Sequence, residues 1–346
     1  MFNFLLKRIL NGLLVVIGVI SIISSIIYLA PVDPARLTFG QMSEDKTVKQ
    51  KQSELGLDKP LHIQLLYYLQ DISPILITSS TRDFKSVKMD SPIFKWRLII
   101  KKPYLRESFQ SGRSVRHILY DAIPQTLILA ITALFIASVI GILFGFIAAL
   151  YQDQLADKLI LSLSTIGYSL PSYVSAILLA VSFGFFWQSW TGLNLQGSLF
   201  DINDSGEDIL VLKNLILPAI ALGIRPIAVI TQLTRSAVLD VLSLEYVKTA
   251  HSKGLSFVKV LRKHVLKNSL NPVVTTISGW FASLLAGAFF VEFVFNFKGL
   301  GFTTVTALIN YDIPVLLACM IFVSIAFVII NIMVDIVYKY LNPAVQ

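Results

Sequence analysis

Apolar residues in this chain are gathered into long uncharged blocks at 9–30, 126–152, 159–191, 214–234, 269–291 and 313–334, with polar segments between them. A bilayer core about 30 Å thick is crossed by roughly 20 apolar residues in a helix. The pattern therefore predicts an all-α integral membrane protein with six transmembrane helices. The third block exceeds the length of one span, and Pro171 within it predicts a kink. Arg225 interrupts the fourth. The first block follows Lys7 and Arg8, as a signal peptide would. Its apolar stretch is longer than the roughly 7–15 residues of a signal h-region and no A-x-A-like site follows, which favours a retained anchor.

Composition points the same way. Hydrophobic residues are 55% of the 346 positions, charged residues 14%, and mean hydropathy is +0.72, whereas soluble domains carry about 25% charged residues. The net charge of +8 is distributed for a membrane rather than for nucleic acid. With the N-terminus inside, short inner segments hold Lys7, Arg8, Lys158, Arg235, Lys248, Lys253, Lys259, Arg262, Lys263, Lys267 and Lys339. Short outer segments hold Lys213 and Lys298 against Asp201, Asp204, Glu207, Asp208, Glu292 and Asp312. The positive-inside rule then puts both termini in the cytoplasm. Segment 31–124 is too long to count in that tally. Pro60, Pro74, Pro92 and Pro103 predict an extracytoplasmic region of mixed helix and loop there. Within it, 61–69 has helical apolar spacing, suited either to the membrane surface or to packing on neighbouring spans. The single cysteine, Cys319, lies mid-span, so no intrachain disulfide is expected.

Signatures of chemistry are missing from the sequence. There is no G-x-x-x-x-G-K-[ST] phosphate loop, no H-E-x-x-H, and no G-x-S-x-G elbow. The histidines at 62, 117, 251 and 264 are too scattered for a metal site, and Lys263-His264 reads as a solvated pair on a basic helix. Acidic residues and histidines inside the blocks, the usual mark of an ion-driven carrier, are scarce; Arg225 is the one ionisable residue well inside a block. The energy source is therefore expected outside this polypeptide. The most informative local pattern is the basic loop 235–268. Two helical stretches meet at Gly254, the first ending on Lys253 as a helix C-terminus prefers, the second starting at Ser256, a good N-cap. Val258, Leu261 and Val265 fall on one stripe and Lys259, Lys263 and Lys267 on another. Such an element suits docking into a partner's groove, or lipid contact by the lysines with the stripe packed on the chain's own spans. The pattern alone leaves the two even.

These residues also carry a resemblance. Tyr246-Val-Lys-Thr-Ala250-His-Ser-Lys253-Gly254, then Lys263-His264-Val-Leu-Lys-Asn268 and Asn271-Pro272-Val-Val-Thr275, resemble the cytoplasmic "EAA" loop of ABC-importer permeases, in its dipeptide/oligopeptide/nickel version. Further landmarks follow in order: Ser111-Gly-Arg-Ser-Val115, Ile123-Pro124-Gln-Thr126, Leu170-Pro171-Ser-Tyr173, Leu217-Pro218-Ala219, Val291-Glu292-Phe-Val-Phe295, Gly299-Leu-Gly301 and Asn331-x-x-x-Asp335-x-x-Tyr338. Leu29-Ala-Pro31-Val-Asp33-Pro34 and Leu55-Gly56-Leu57-Asp58-Lys-Pro60 are similar to the first permease of the pair. Departures are Lys298 before Gly-Leu-Gly, Lys248-Thr249 for the generic Glu-Ala, the tail Leu341-Asn-Pro343, and segment 72–110, which matches nothing.

The resemblance implies the type I ABC-importer permease fold. It divides into an N-terminal segment and first span (1–30), an extracytoplasmic loop region (31–124), and a core of five spans (125–340) that includes the coupling loop 235–268. It implies a multi-pass permease of the bacterial plasma (inner) membrane, contacting lipid and no nucleic acid. The chain would form half the path of an ATP-driven importer for di- or oligopeptides. Its implied partners are a homologous second permease, two ABC ATPases and an extracytoplasmic substrate-binding protein. It binds no cofactor itself, ATP and Mg belonging to the ATPases, and is not an enzyme. The coupling role falls on Tyr246, Ala250, Lys253, Gly254, His264 and Asn268; Arg225 and Pro171 are candidate path residues. Close relatives of such permeases carry nickel chelates, oligosaccharides or peptide antibiotics, and a stand-alone secondary carrier is the rival of another class.

Overall fold

The computed structural model describes residues 2–29, 59–73, 75–78, 87–88, 97–202 and 206–341. They belong to two compact units, one comprising Met1–Ile9, Ala122–Val305 and Ile325–Gln346, the other Leu10–Asp121 and Thr306–Ser324. The resemblance at 30–34, at 55–58 and at Pro343 lies outside the described residues.

Each apolar block falls on helix. Helices α3 (Val115–Leu150) and α7 (Lys213–Leu242), the run Phe257–Phe295, and Ile313–Ile336 of α12 (Ile313–Leu341) are long and apolar enough to cross a membrane. The pair α4 (Leu155–Ser169) and α5 (Ser172–Leu179, continued by a π-helical stretch Ala180–Phe186) adds a fifth if counted as one span, and the short α6 (Gln188–Thr191) follows it. Helix α1 (Phe2–Leu29) has a described apolar stretch at Leu10–Ile23. Pro124, Pro218, Pro226 and Pro272 all sit inside helices; each removes only one N–H, and packed neighbours in a membrane protein absorb the loss. Pro171 does more than kink. Leu170 is held extended (ψ 129°) by the proline after it, and Pro171 is itself extended (ψ 140°). Two such residues in sequence end α4, and the halves meet at 108°.

The larger unit is built on small residues that let helices approach. Ala130, Ala133, Ala219, Ala221 and Ala288 form its core with Leu129, Leu222, Leu284 and Phe295. A Cβ on Gly145 of α3 would lie 2.5 Å from the Thr231 carbonyl oxygen and from Thr234 Cβ of α7. One turn earlier, a Cβ on Gly141 would lie 2.7 Å from Ile230 Cγ2. This Gly-x-x-x-Gly pair sets the α3–α7 crossing by backbone contact, the usual means where lipid removes the hydrophobic drive between helices.

Glu292, taken from the sequence as an outer charge at a span end, is fully buried inside α10 (Leu266–Phe295). It accepts hydrogen bonds from Thr126 Oγ1 (2.7 Å), Gly301 N (2.7 Å) and Phe302 N (3.1 Å). Thr126 Oγ1 in turn accepts from Leu300 N at 2.7 Å. Three of the four orphan N–H groups of the short helix α11 (Leu300–Ile309) are thus capped by side chains from other helices.

The smaller unit departs from the expected mixture of helix and loop, and from an all-α chain. Helix α2 (Leu61–Ile72) is followed by β1 (Ile75–Thr78), β2 (Val87–Lys88) and β3 (Arg97–Ile100) in an antiparallel sheet ordered β1-β3-β2. The larger unit also carries a hairpin, β4 (Phe200–Ile202) with β5 (Asp208–Leu210). Helix α2 packs inward: Tyr68 is buried with Ile20, Leu317 and Ile321, while Leu66 remains exposed. Asp71 pairs with Arg106 at 2.8 Å, and Asp312 accepts from Ser108 Oγ (2.5 Å) and Phe109 N (3.0 Å). These contacts anchor the stretch that leads into the Ser111–Val115 landmark.

Candidate docking element and transport path

Helix α7 does not stop at Arg235, where the apolar block ends, but runs on to Leu242. Arg235 stays helical because its charge is met: Nε and Nη2 donate to the two carboxylate oxygens of Asp157 at 2.6 and 2.7 Å. Asp157, 2% exposed, also accepts the Asp153 N–H at 2.9 Å. The bidentate fork ties α7 to the start of α4 with the strongest geometry available to an ion pair. Removing one partner leaves the other charge partly buried. Arg235→Gln is therefore expected to cost about 3 kcal/mol, the lower end for a buried pair because arginine keeps some exposure. Thermal unfolding in detergent checks this, with Asp157→Asn/Arg235→Gln expected to lose less than Arg235→Gln alone.

After α7 the chain forms α8 (Glu245–Ser252), the turn at Gly254, and α9 (Phe257–Val260), which passes through a π-helical stretch (Leu261–Val265) into α10. Gly254 has φ +80° and nothing within 4 Å of where a Cβ would stand. The turn is the Schellman type: Leu255 N donates back to Ala250 O at 3.3 Å, and both residues join the same apolar cluster. Ser256 occupies the N-cap position of α9 in extended conformation but without a side-chain capping bond; its carbonyl takes the N–H groups of Lys259 and Val260.

The proposed stripe divides. Leu261 and Val265 are buried, with Val260 beside them, against Ala149, Val238, Val241, Val247 and Ala250, while Val258 is 72% exposed. The π-helical stretch explains it, since positions five apart, 260 and 265, share a face there. The element's inner side is thus packed on its own unit, and its outer side presents Tyr246, Phe257, Val258 and the lysines.

Of the residues carried over from the resemblance, three are brought together across the Gly254 turn. Asn268 Nδ2 donates to the Tyr246 hydroxyl at 2.8 Å and to His264 O at 3.0 Å, and the Tyr246 and His264 rings lie 6.4 Å apart. This clasp holds α8 against α9–α10. Ala250 packs inward, and Lys253 is exposed at the α8 end. Among candidate path residues, Pro171 starts α5 at the sharp break, and Arg225 stacks over the ring of Tyr168, 5.4 Å from its centroid, just before that break. Tyr173 makes an edge-on contact with Phe290, both exposed. Sequence reasoning missed Asp157, Tyr168 and the capping role of Glu292. A lone acid at the start of a helix and a lone glutamate seven residues before Gly-Leu-Gly were the available signals.

Two family models match the chain. Residues 141–346 match the binding-protein-dependent transport system inner membrane component, and residues 1–130 match the N-terminal part of the corresponding membrane component. The di/tripeptide transport system permease protein DppB of Pseudomonas aeruginosa is 32% identical over 366 residues, covering 100% of this chain and 99% of that one. The glutathione transport system permease protein GsiC of Salmonella typhimurium is 31% identical over 350 residues, with the same coverage. In fold, a chain of the inward-facing MetNI methionine ABC transporter superposes with a TM-score of 0.52 at 16% identity, covering 65% of this chain and 97% of that one. With the larger family model spanning more than half the chain and full-length relatives above 30% identity, this protein belongs to the family of binding-protein-dependent transport system inner membrane components.

Proposed function

We propose that the chain is the permease subunit of an ATP-driven importer of di- or oligopeptides. It pairs with a second, homologous permease to enclose the path; the pair docks two ATPase subunits, which bind ATP and Mg, through one coupling loop each and receives substrate from an extracytoplasmic binding protein. The peptide cargo is supported by full-length similarity to permeases named for di/tripeptide and glutathione transport. On this reading α1 is the sixth span and both termini are cytoplasmic. The ion pair between Arg8 near the start of α1 and Asp335 near the end of α12, 2.8 Å, supports putting those ends on one side of the membrane.

The single observation that carries the docking role is the α8–Gly254–α9 element, with an inner side fixed in a core and an outer side on which Tyr246, Phe257, Val258 and the lysines are exposed. A body so held transmits a push rather than yielding to it. ATP-driven closure of the ATPases would move α8 and, through the clasp and the continuous Phe257–Phe295 run, tilt α10. That is a rigid-body switch between inward- and outward-facing states.

Gly254 tests it. A β-branched residue at φ +80° is strained by about 1–2 kcal/mol, although no atom blocks its Cβ. Gly254→Val is expected to insert and fold but to lower ATP-driven uptake roughly tenfold, while Gly254→Asn, which tolerates the left-handed region, keeps most of it. Normal uptake by the valine variant would remove the docking assignment. Co-purification of the wild-type chain with two nucleotide-binding subunits tests the assembly separately.

A further inference from the structure

Arg225 stands about 18 Å along the α7 axis from Lys213 and about 26 Å from Leu242, well inside the apolar length of that helix. A guanidinium at such depth is costly unless it meets an anion or water. Among the described residues no acid forms an ion pair with it. Asp157 is engaged by Arg235, and Glu292 by Thr126 and the α11 amides. Arg225 has no ion pair, and its Nε is buried without a hydrogen-bond acceptor. A lipid phosphate lies about 15 Å away at mid-bilayer, half of the roughly 30 Å core, which exceeds the reach of the side chain.

Its guanidinium stacks over the Tyr168 ring, 5.4 Å from the centroid. Stacking fixes the plane of the fork and leaves its two Nη groups to take a carboxylate by two parallel hydrogen bonds, the Nε being buried. Tyr168 is 47% exposed and Arg225 is half-buried, so the pair is reachable. Its place in α4 is fixed from both sides. Gly167 lets α4 close on α7, since a Cβ there would lie 3.1 Å from Ile224 Cγ2, and the break at Leu170-Pro171 follows two residues later.

We infer that Arg225, oriented by Tyr168, is an anion subsite of the transport path that takes the substrate's carboxylate, for a peptide its C-terminal one. The inference rests on the importer reading above. One guanidinium backed by a ring, without a second cation, holds a carboxylate long enough to orient it and weakly enough to release it. A permease needs that balance more than affinity.

The test uses the complete importer in proteoliposomes, with radiolabelled trialanine and trialanine amide presented at saturating binding protein. Arg225→Gln is expected to lower the maximal rate for trialanine about tenfold and to leave that for the amide within about twofold. Arg225→Lys should fall between. The binding protein is common to all variants, so its own preference cancels when the peptide-to-amide ratio is compared between them. An equal loss for both substrates, or none for either, overturns the subsite. Loss of the second permease from the purified Arg225→Gln complex also overturns it, by showing that the arginine meets an acid of that partner. If the wild-type importer moves neither compound with ATP, the importer reading fails and the subsite with it, a result visible before any variant is made.

Discussion

Gly145→Val is expected to prevent accumulation of folded protein in the membrane, or to lower its thermal midpoint more than any other single glycine replacement in α3 or α10. The site has no slack. A Cβ would sit 2.5 Å from a backbone carbonyl oxygen and a Cβ of α7, and 3.0 Å from Arg235 N; valine then adds two further carbons. Backbone atoms in a helix cannot rotate away, so α3 and α7 must separate along their length. The buried layer of Ala137, Ile230 and Val273 lies along the same contact, and the Arg235–Asp157 fork is anchored at its end. Overpacking of a tight core costs about 1–3 kcal/mol and sometimes more, and the upper end applies when the obstacle is backbone. Gly141→Val should be milder, because its nearest obstacles, Ile230 Cγ2 and Cβ at 2.7 and 2.8 Å, stand farther off and the nearest backbone atom, Ile227 O, is at 3.1 Å. Gly279→Ala is the control: nothing lies within 4 Å of its Cβ position, and alanine gains helix propensity of up to about 1 kcal/mol. A midpoint for Gly145→Val within a degree or two of the wild type in detergent would show that the crossing is not set by this contact.

The apolar blocks were readable because a bilayer demands length and uniform hydropathy, and both are written in the sequence of each helix. What the blocks do to one another was less readable. The apolar run closes before Arg235 because a charge ends it, whereas the partner that meets that charge as the helix continues to Leu242, Asp157, lies 78 positions earlier. The break at Pro171 was expected as a kink. Its extent follows from Leu170 being pushed extended as well, a consequence of the proline that a count of apolar residues does not register. The strands at Ile75–Thr78, Val87–Lys88 and Arg97–Ile100 are too short for alternation to stand out among prolines.

In the candidate docking element, Gly254 was legible because only a left-handed turn requires glycine between two helical stretches. The stripe 258/261/265 was misassigned because its reading assumed 3.6 residues per turn throughout, and a π-helical stretch intervenes. The clasp of Tyr246, His264 and Asn268 joins residues 22 positions apart. The family pattern named all three, but only the fold shows why they go together.

Replacing Glu292 by alanine should be the most damaging change to any polar side chain in the larger unit. Its carboxyl group, fully buried, is the shared acceptor for the Thr126 hydroxyl and for two amides of α11. Alanine leaves those three donors inside the protein with no water to replace the lost oxygens, at about 1–3 kcal/mol for each donor left unsatisfied, and adds a cavity. Roughly 3–5 kcal/mol is expected after relaxation, or about 5–10 °C in the thermal midpoint for a chain of this size. The surroundings cannot close over the gap easily. Gly299 and Gly301 are glycines because a Cβ on either would overlap Glu292, Thr126 or the Phe289 backbone, so the turn is already at contact distance. Glu292→Gln keeps the shape and most of the hydrogen bonding. The amide oxygen can keep the Gly301 and Phe302 N–H groups, and its NH2 then faces Thr126 Oγ1, which has a lone pair free once its own hydrogen turns away. That variant should lose only about 1–2 kcal/mol, for the hydroxyl hydrogen left to find another acceptor. Thr126→Val in the glutamine background should cost little more, except for the lost acceptor of Leu300 N. Equal midpoints for Glu292→Ala and Glu292→Gln would mean that neither the filled space nor the capping of α11 supports the fold. The order alanine, then glutamine, then wild type would establish Glu292 as the acceptor that holds α11 to α3 and α10.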